Sequence, residues 1–367
     1  MSIRNFAIFT CTLLFSLAAQ AQSAAKPTAS AAPPSVAAAS LHLHGGTESL
    51  RLHGSTELPG YTGDFDHFAV DVKGNRLFLA AEDHGTLEVF DLVTGKHLKT
   101  IKGVESPHGI LYLAEKNRLI VTDSGAGFSK VFNATTYKVI DTIKLAPGAD
   151  SMGYDVSGKR MYVVTGGKNA NMAESFLAKV DPVTGKKLGE LKFDTDKVEA
   201  MAIEQKGKYL YINVTGKNYV AVVDKEKFSV VNTWPVKEGA MNAAMAFDEA
   251  NQRLFVVTRK PFKLVIINTK TGASIASFAA PDRTNEAIFD KINRRIYLAG
   301  DDFISVFQQK DADHYEELSH VSSAKGAKTA IFVPDLNRLY AAISPGEGKT
   351  GAAVLRFDVV PAAIAIK

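Results

Sequence analysis

Four of the nine histidines of this 367-residue chain, His67, His84, His97 and His108, fall between residues 64 and 109, and of these His67, His84 and His108 are the candidates for chemistry. Acids accompany them: Asp64 and Asp66 precede His67, Glu82 and Asp83 precede His84, and Asp123 follows His108. Imidazole and carboxylate are the usual ligands of zinc, iron or copper where no thiolate is offered. One chemistry is therefore a divalent metal held by His67, His84 and His108 with Asp66 or Asp123. No H-x-x-H or H-E-x-x-H spacing is present, so only the fold could assemble such a set. A second chemistry makes His67 or His108 a general base, with Arg259 or Lys328 steadying a carbonyl or anionic oxygen, as a lactone hydrolysis or an elimination requires. A third needs no reaction: Arg259, Lys260 and Lys328 form a basic side that takes a small anionic molecule or the acidic loop of a protein partner. The bland use of His67 and His108 is hydrogen bonding that locks neighbouring sheets.

Other chemistries are excluded. The single cysteine, Cys11, lies in the apolar run of residues 6–19, which follows Arg4 and ends in Ala19-Gln20-Ala21. This is the pattern of a secretory signal peptide with cleavage after Ala21. The expected mature chain then has neither a thiolate nucleophile nor a sulfur metal site. Ser124 sits in Asp-Ser-Gly-Ala-Gly, which lacks the G-x-S-x-G elbow, so no serine nucleophile is expected. Gly166-Gly167-Lys168-Asn169 joins two strands, with no helix dipole to cradle phosphate. The formal charge of +4 arises from interspersed Lys, Arg, Asp and Glu, without the basic stripe that nucleic acid binding demands. No segment offers the roughly twenty apolar residues of a membrane-spanning helix.

The elements that must position the candidates are repeats. An apolar residue opening a Val-, Ile-, Tyr- and Phe-rich strand recurs at Leu77, Leu119, Met161, Leu210, Leu254, Ile296 and Leu339. Before it stands a turn such as Lys73-Gly74-Asn75-Arg76. After the next strand comes Asp91-Leu92-Val93-Thr94-Gly95-Lys96 or its relatives at Asp181 and Asn268, degrading at Asn133 and Asp224. Asp or Asn closes a local turn and Gly takes the positive φ, which marks a hairpin into an outer strand. A unit of 42 to 49 residues built of four short strands is the signature of a β-propeller blade.

The strands also spell Ile120-Val121-Thr122-Asp123, Val163-Val164-Thr165-Gly166 and Val256-Val257-Thr258-Arg259. With the Asp-x-x-Thr-Gly-Lys turns these resemble the YVTN repeats of exported bacterial seven-bladed propellers, over essentially all of residues 48–360. The resemblance implies an all-β fold and a functionally mixed group of ligand-binding and surface proteins, lactonases, a streptogramin-cleaving lyase and quinoprotein dehydrogenase subunits. None of their catalytic residues maps onto this chain position by position.

The expected map is a signal peptide over residues 1–21, an Ala/Ser/Pro-rich tether over 22–47, a propeller of seven four-stranded antiparallel blades over 48–360 and a tail over 361–367. The protein is expected to be periplasmic or secreted, and monomeric. The seventh blade has only three strands of its own, and the isolated alternating segment 49–58 is expected to supply its outer strand and close the ring. Propeller sites gather at the channel mouth, where the innermost strands start and the second strands turn into the third. The starts are His67, His108, Ser151, Ala200, Asn242, Asn285 and Lys328. The turns bring Glu82 to His84, Asp123, residues 166–171, Lys217, Asn218, Arg259, Lys260, Asp301, Asp302 and Glu347.

Overall fold

The computed structural model describes residues 48–345 and 351–361. The expected signal peptide and tether, Glu347 and residues 362–367 lie outside them. Among the described residues, 28 strands form seven four-stranded antiparallel sheets. In blade 1 these are β2 (Phe68–Asp71), β3 (Arg76–Ala81), β4 (Thr86–Asp91) and β5 (His97–Ile101). Blades 2 to 6 repeat this order over residues 107–144, 152–193, 201–235, 245–279 and 286–322. No described helix is long and apolar enough to cross a membrane.

The outer hairpins form where the sequence asks for them. Asp91 accepts hydrogen bonds from the Val93 and Thr94 amides at 3.1 and 2.8 Å, and Gly95 takes φ +73°. Asp181 with Gly185 and Asn268 with Gly272 do the same. The degraded copies keep the geometry without glycine: Tyr137 and Phe228 stand at φ +57° and +51°. A left-handed non-glycine residue costs about 1 kcal/mol. Contacts across the seam offset this. Arg76 of blade 1 donates to the Tyr137 hydroxyl at 2.9 Å and lies over its ring, while Phe228 packs beside Tyr162 of blade 3.

The core is divided among the seams. Seven apolar clusters each join two neighbouring blades, as the two buried faces of a central strand require. Trp234, stacked on Tyr211 at 5.4 Å, belongs to the seam between blades 4 and 5.

The last blade closes the ring. Its own strands are β26 (Thr329–Val333), β27 (Arg338–Ile343) and β28 (Ala353–Val359), and β1 (Leu50–Glu57) adds on β28 as the fourth. The pairing runs antiparallel from Leu50 opposite Val359 to Glu57 opposite Ala353. Backbone bonds from Leu58 to Ala352 (2.8 Å) and from Val360 to Ser49 (3.0 Å) extend it at both ends. Arg295 of blade 6, 1% exposed, donates to the carbonyls of Ser49 and Val360 at 3.2 and 2.6 Å, holding both chain segments of the closure with one guanidinium.

Removing that guanidinium takes the donor from the Val360 carbonyl and one of two donors from the Ser49 carbonyl, and opens a void. Arg295→Ala is expected to destabilise the fold by about 2–4 kcal/mol, and deletion of residues 49–58 by more, both read in urea unfolding. Losses under about 0.5 kcal/mol would show that the closure does not hold the ring.

Candidate functional site

The channel mouth is a polar cavity of about 190 Å³. His67, His108, Ser151, Ala200, Asn285 and Lys328 line it, each at the start of an innermost strand as expected. The seventh expected position slips by one residue. Asn242 turns into the seam between blades 4 and 5, donating to Asn213 Oδ1 at 2.6 Å, and Ala243 reaches the cavity instead. From the turns come Glu82, Asn169 and Arg259.

Two expected ligands are elsewhere. His84 is exposed and stacks on Tyr61 at 4.2 Å, because the four-residue turn after β3 carries its side chain outward, away from the cavity. The set of His67, His84 and His108 is therefore not assembled. Asp123 is fully buried and accepts from the amides of Glu105 and Ser106, both at 3.0 Å, and of Ala126 at 3.2 Å. It satisfies the loop leading into its own blade, the normal use of a buried turn carboxylate.

Sequence reasoning missed Asp150 and Glu199, which line the cavity. Each immediately precedes the start of an innermost strand, as Asp66 precedes His67. An acid at this position in blades 1, 3 and 4 was the available signal.

His108 is the centre of the arrangement. It is 4% exposed, with Nδ1 2.6 Å from Asp66 Oδ2 and 3.7 Å from Asp150 Oδ1. Its Nε2 lies 2.9 Å from the Ser124 hydroxyl and 3.8 Å from Glu82 Oε1. The other Asp66 oxygen faces His67 Nε2 at 3.6 Å, and His67 Nδ1 faces Glu286 at 3.3 Å. The other Asp150 oxygen accepts from the Asn169 amide at 3.0 Å. One polar chain thus runs from blade 6 through blade 1 into blades 2 and 3.

Burial and neighbouring charge decide the protonation of these groups. Burial disfavours the His67 cation, but Asp66, Glu286 and Asp150 outweigh it and hold the pKa at about 10. For His108 burial is outweighed by the Asp66 hydrogen bond, Asp150, Asp66 charge and Glu82, giving about 9. Burial alone would raise Asp66, yet His67, His108 and Lys328 hold it well below the usual carboxylate range. Glu82 and Asp150 are raised chiefly by burial, against the pull of His108, to about 7 and about 6.

The cations on the far side are engaged. Arg259 contacts Glu199 at 3.4 Å and donates to Asn285 at 2.9 Å, and Lys328 bonds Asp64 at 2.6 Å. Lys260 is exposed and does not line the cavity, so of the expected basic side only Arg259 and Lys328 reach the mouth, both neutralised by carboxylates. Asp66, Glu82, Asp150 and Glu199 line the cavity, while Asp64 and Glu286 stand behind Lys328 and His67. Lys197 backs Glu199 at 3.3 Å, so six carboxylates face three fixed cations and two imidazoles.

A larger open groove of about 650 Å³ lies over blades 5 and 6, where Asp301 and Asp302 meet Phe303, His320 and Lys325. Both His320 ring nitrogens are taken, by Ser305 and Glu317, each at 2.8 Å. Its polar groups do not converge.

Among solved structures the chain is similar to a chain of a mitotic checkpoint complex, with TM-score 0.68 and 14% identity over 96% of this chain and 99% of that one. It is also similar to a chain of Kuenenia stuttgartiensis hydrazine synthase, with TM-score 0.67 and 17% identity over 85% of this chain and 98% of that one. At these identities the likeness establishes the propeller fold alone. No family model and no curated protein matches.

The raised imidazole values carry a sign. A group whose folded pKa exceeds its unfolded value of about 6.5 contributes stability below that value and loses it as pH rises through the folded pKa. His67 and His108 are thus expected to stabilise the fold fully below about pH 6.5, with the contribution lost as pH rises through about 9 to 10. Asp66→Asn is expected to lower the NMR titration midpoint of His108 by at least about one unit. An unchanged midpoint would show that Asp66 does not hold that proton.

Proposed function

We propose that this protein is an exported binding module whose channel mouth takes a positively charged ligand. The observation that carries the reading is the charge of the cavity: Asp66, Glu82, Asp150 and Glu199 line it, and its two fixed cations already have carboxylate partners. An anion would have to break those pairs, whereas a cation meets four carboxylates, of which Asp66 and Asp150 are held in place by hydrogen bonds. Kinship with the YVTN propellers and export belong to the proposal. They are supported by the repeat motifs and by the charged, apolar and Ala-x-Ala segments before Gln22.

One observation favours an enzyme of the lactonase or lyase kind. Asp66, His108 and Ser124 are aligned at 2.6 and 2.9 Å, the order of a hydrolase triad. Two features weigh against it. His108 keeps its proton up to about pH 9, so it is a poor base at neutrality. Glu82 stands 3.8 Å from the same Nε2, so an oxyanion developing at Ser124 would meet negative charge where catalysis needs donors.

The ligand class is tested by thermal shift at constant ionic strength, comparing Mn²⁺, Zn²⁺ and a short alkyl diamine with phosphate and citrate. Cations are expected to raise the midpoint, and Glu82→Gln with Glu199→Gln to reduce the rise. Stabilisation by the anions alone would overturn the reading. For export, the mass of protein from the extracytoplasmic fraction should place the N-terminus at Gln22. Retention of residues 1–21 there contradicts cleavage.

A further inference from the structure

Resting on the cationic-ligand reading and narrowing it, we propose that Asp66, His108 and Asp150 form a binding centre for a first-row divalent metal ion at the junction of blades 1, 2 and 3. Each of the three residues presents one donor atom within 4.8 Å of the other two. Asp66 Oδ2 and Asp150 Oδ1 approach His108 Nδ1 at 2.6 and 3.7 Å. Bonds of about 2.0–2.2 Å around a tetrahedral ion separate neighbouring ligand atoms by about 3.3–3.6 Å. The two contacts to His108 therefore need to shift by no more than about 1 Å to accept an ion.

A second feature is that hydrogen bonds hold the remaining atoms of two of the ligands while a histidine faces that of the third. His67 stands over Asp66 Oδ1 at 3.6 Å, Ser124 takes His108 Nε2 at 2.9 Å, and Asn169 donates to Asp150 Oδ2 at 3.0 Å. A hydrogen bond on one imidazole nitrogen selects the tautomer that turns the other nitrogen's lone pair to the metal. With the ion bound, the Ser124 hydroxyl accepts from Nε2–H, and the Nδ1 proton that Asp66 accepts in the free protein is released to solvent so that the Nδ1 lone pair meets the metal. Ser124 and Asn169 are thus positioning residues, and the triad-like alignment of Ser124 gains a use that needs no nucleophile.

The donor set also selects among ions. One imidazole with two carboxylates suits Zn²⁺, Mn²⁺ or Fe²⁺, whereas Ca²⁺ asks for six to eight oxygens. Three protein ligands leave a coordination position for water or a small ligand atom. All three ligands line the cavity, so that position opens into it.

Full-length processed protein without a tag, stripped by a chelator, is titrated calorimetrically with Zn²⁺, Mn²⁺ and Ca²⁺. One equivalent of Zn²⁺ or Mn²⁺ is expected per chain, with Ca²⁺ at least about tenfold weaker. Asp150→Asn and His108→Gln should each weaken binding at least about tenfold. His84→Ala should leave it unchanged, as should the pair His42→Ala with His44→Ala, two histidines of the expected tether over residues 22–47. Asp150 is 28% exposed at its side chain, so its amide variant tests the centre without emptying a buried core even if the His108 variant fails to fold. Unaltered affinity in Asp150→Asn, or loss in the His42/His44 pair, overturns the assignment. Binding of the diamine without either metal overturns it and leaves the broader cationic reading standing. Binding of neither class removes both.

Discussion

The fold depends on one non-local pairing, that of residues 50–57 with 353–359. Each blade buries its faces only against neighbours, so the seven seams are equivalent until the chain has to close on itself. At that seam β1 covers the outer edge of β28, which would otherwise be free to pair with another chain. The closure also brings together residues far apart in sequence on the inner side of the ring. Phe65 donates its amide to Ser344 Oγ at 3.1 Å, and Lys328 reaches Asp64 at 2.6 Å. The mouth is a consequence of closure, since it draws on blades at both ends of the repeat.

Within the mouth, electrostatics is organised around His108 and Asp66. A buried imidazolium and a buried carboxylate each suffer desolvation, and each is tolerated because the other lies 2.6 Å away, with Ser124 on the second imidazole nitrogen and His67 facing the second carboxylate oxygen at 3.6 Å. Asp150 and Glu82 rise above the usual carboxylate range chiefly because they are buried, with Asp66 adding to the rise and His108 opposing it. Asp66 and Asp150 converge on one imidazole at the wall of a cavity that Glu82 and Glu199 also line, a site richer in negative than in positive charge. A cation answers that imbalance.

The fold was legible because its turns are chemically demanding. Asp91-x-x-Thr94-Gly95 has one stable use, and even where glycine gives way to Tyr137 or Phe228 the accepting Asn133 or Asp224 remains. The isolated strand at 50–57 was legible as the missing partner of a three-stranded blade. The site was legible only in part. His67, His108, Arg259 and Lys328 followed from their places at strand starts and turns. His84 did not, because period-2 alternation ends where a tight turn begins. Asp123 has the residue type and the position of a ligand, but the loop amides of Glu105 and Ser106 claim it, and nothing in a sequence tells which way a turn carboxylate faces. Asp150 and Glu199 escaped notice because two consecutive residues line the mouth where the chain bends inward, whereas within a strand only one of two would.

The central claim is that the blade 1, 2 and 3 sector of the mouth holds a positive ion between an imidazole and two carboxylates. Anomalous diffraction from crystals grown with Mn²⁺ or Zn²⁺ tests it most directly. The account predicts one strong peak about 2.0–2.3 Å from Asp66 Oδ2, His108 Nδ1 and Asp150 Oδ1. A mouth without a peak, or a peak only at an exposed histidine such as His53 or His314, would contradict it.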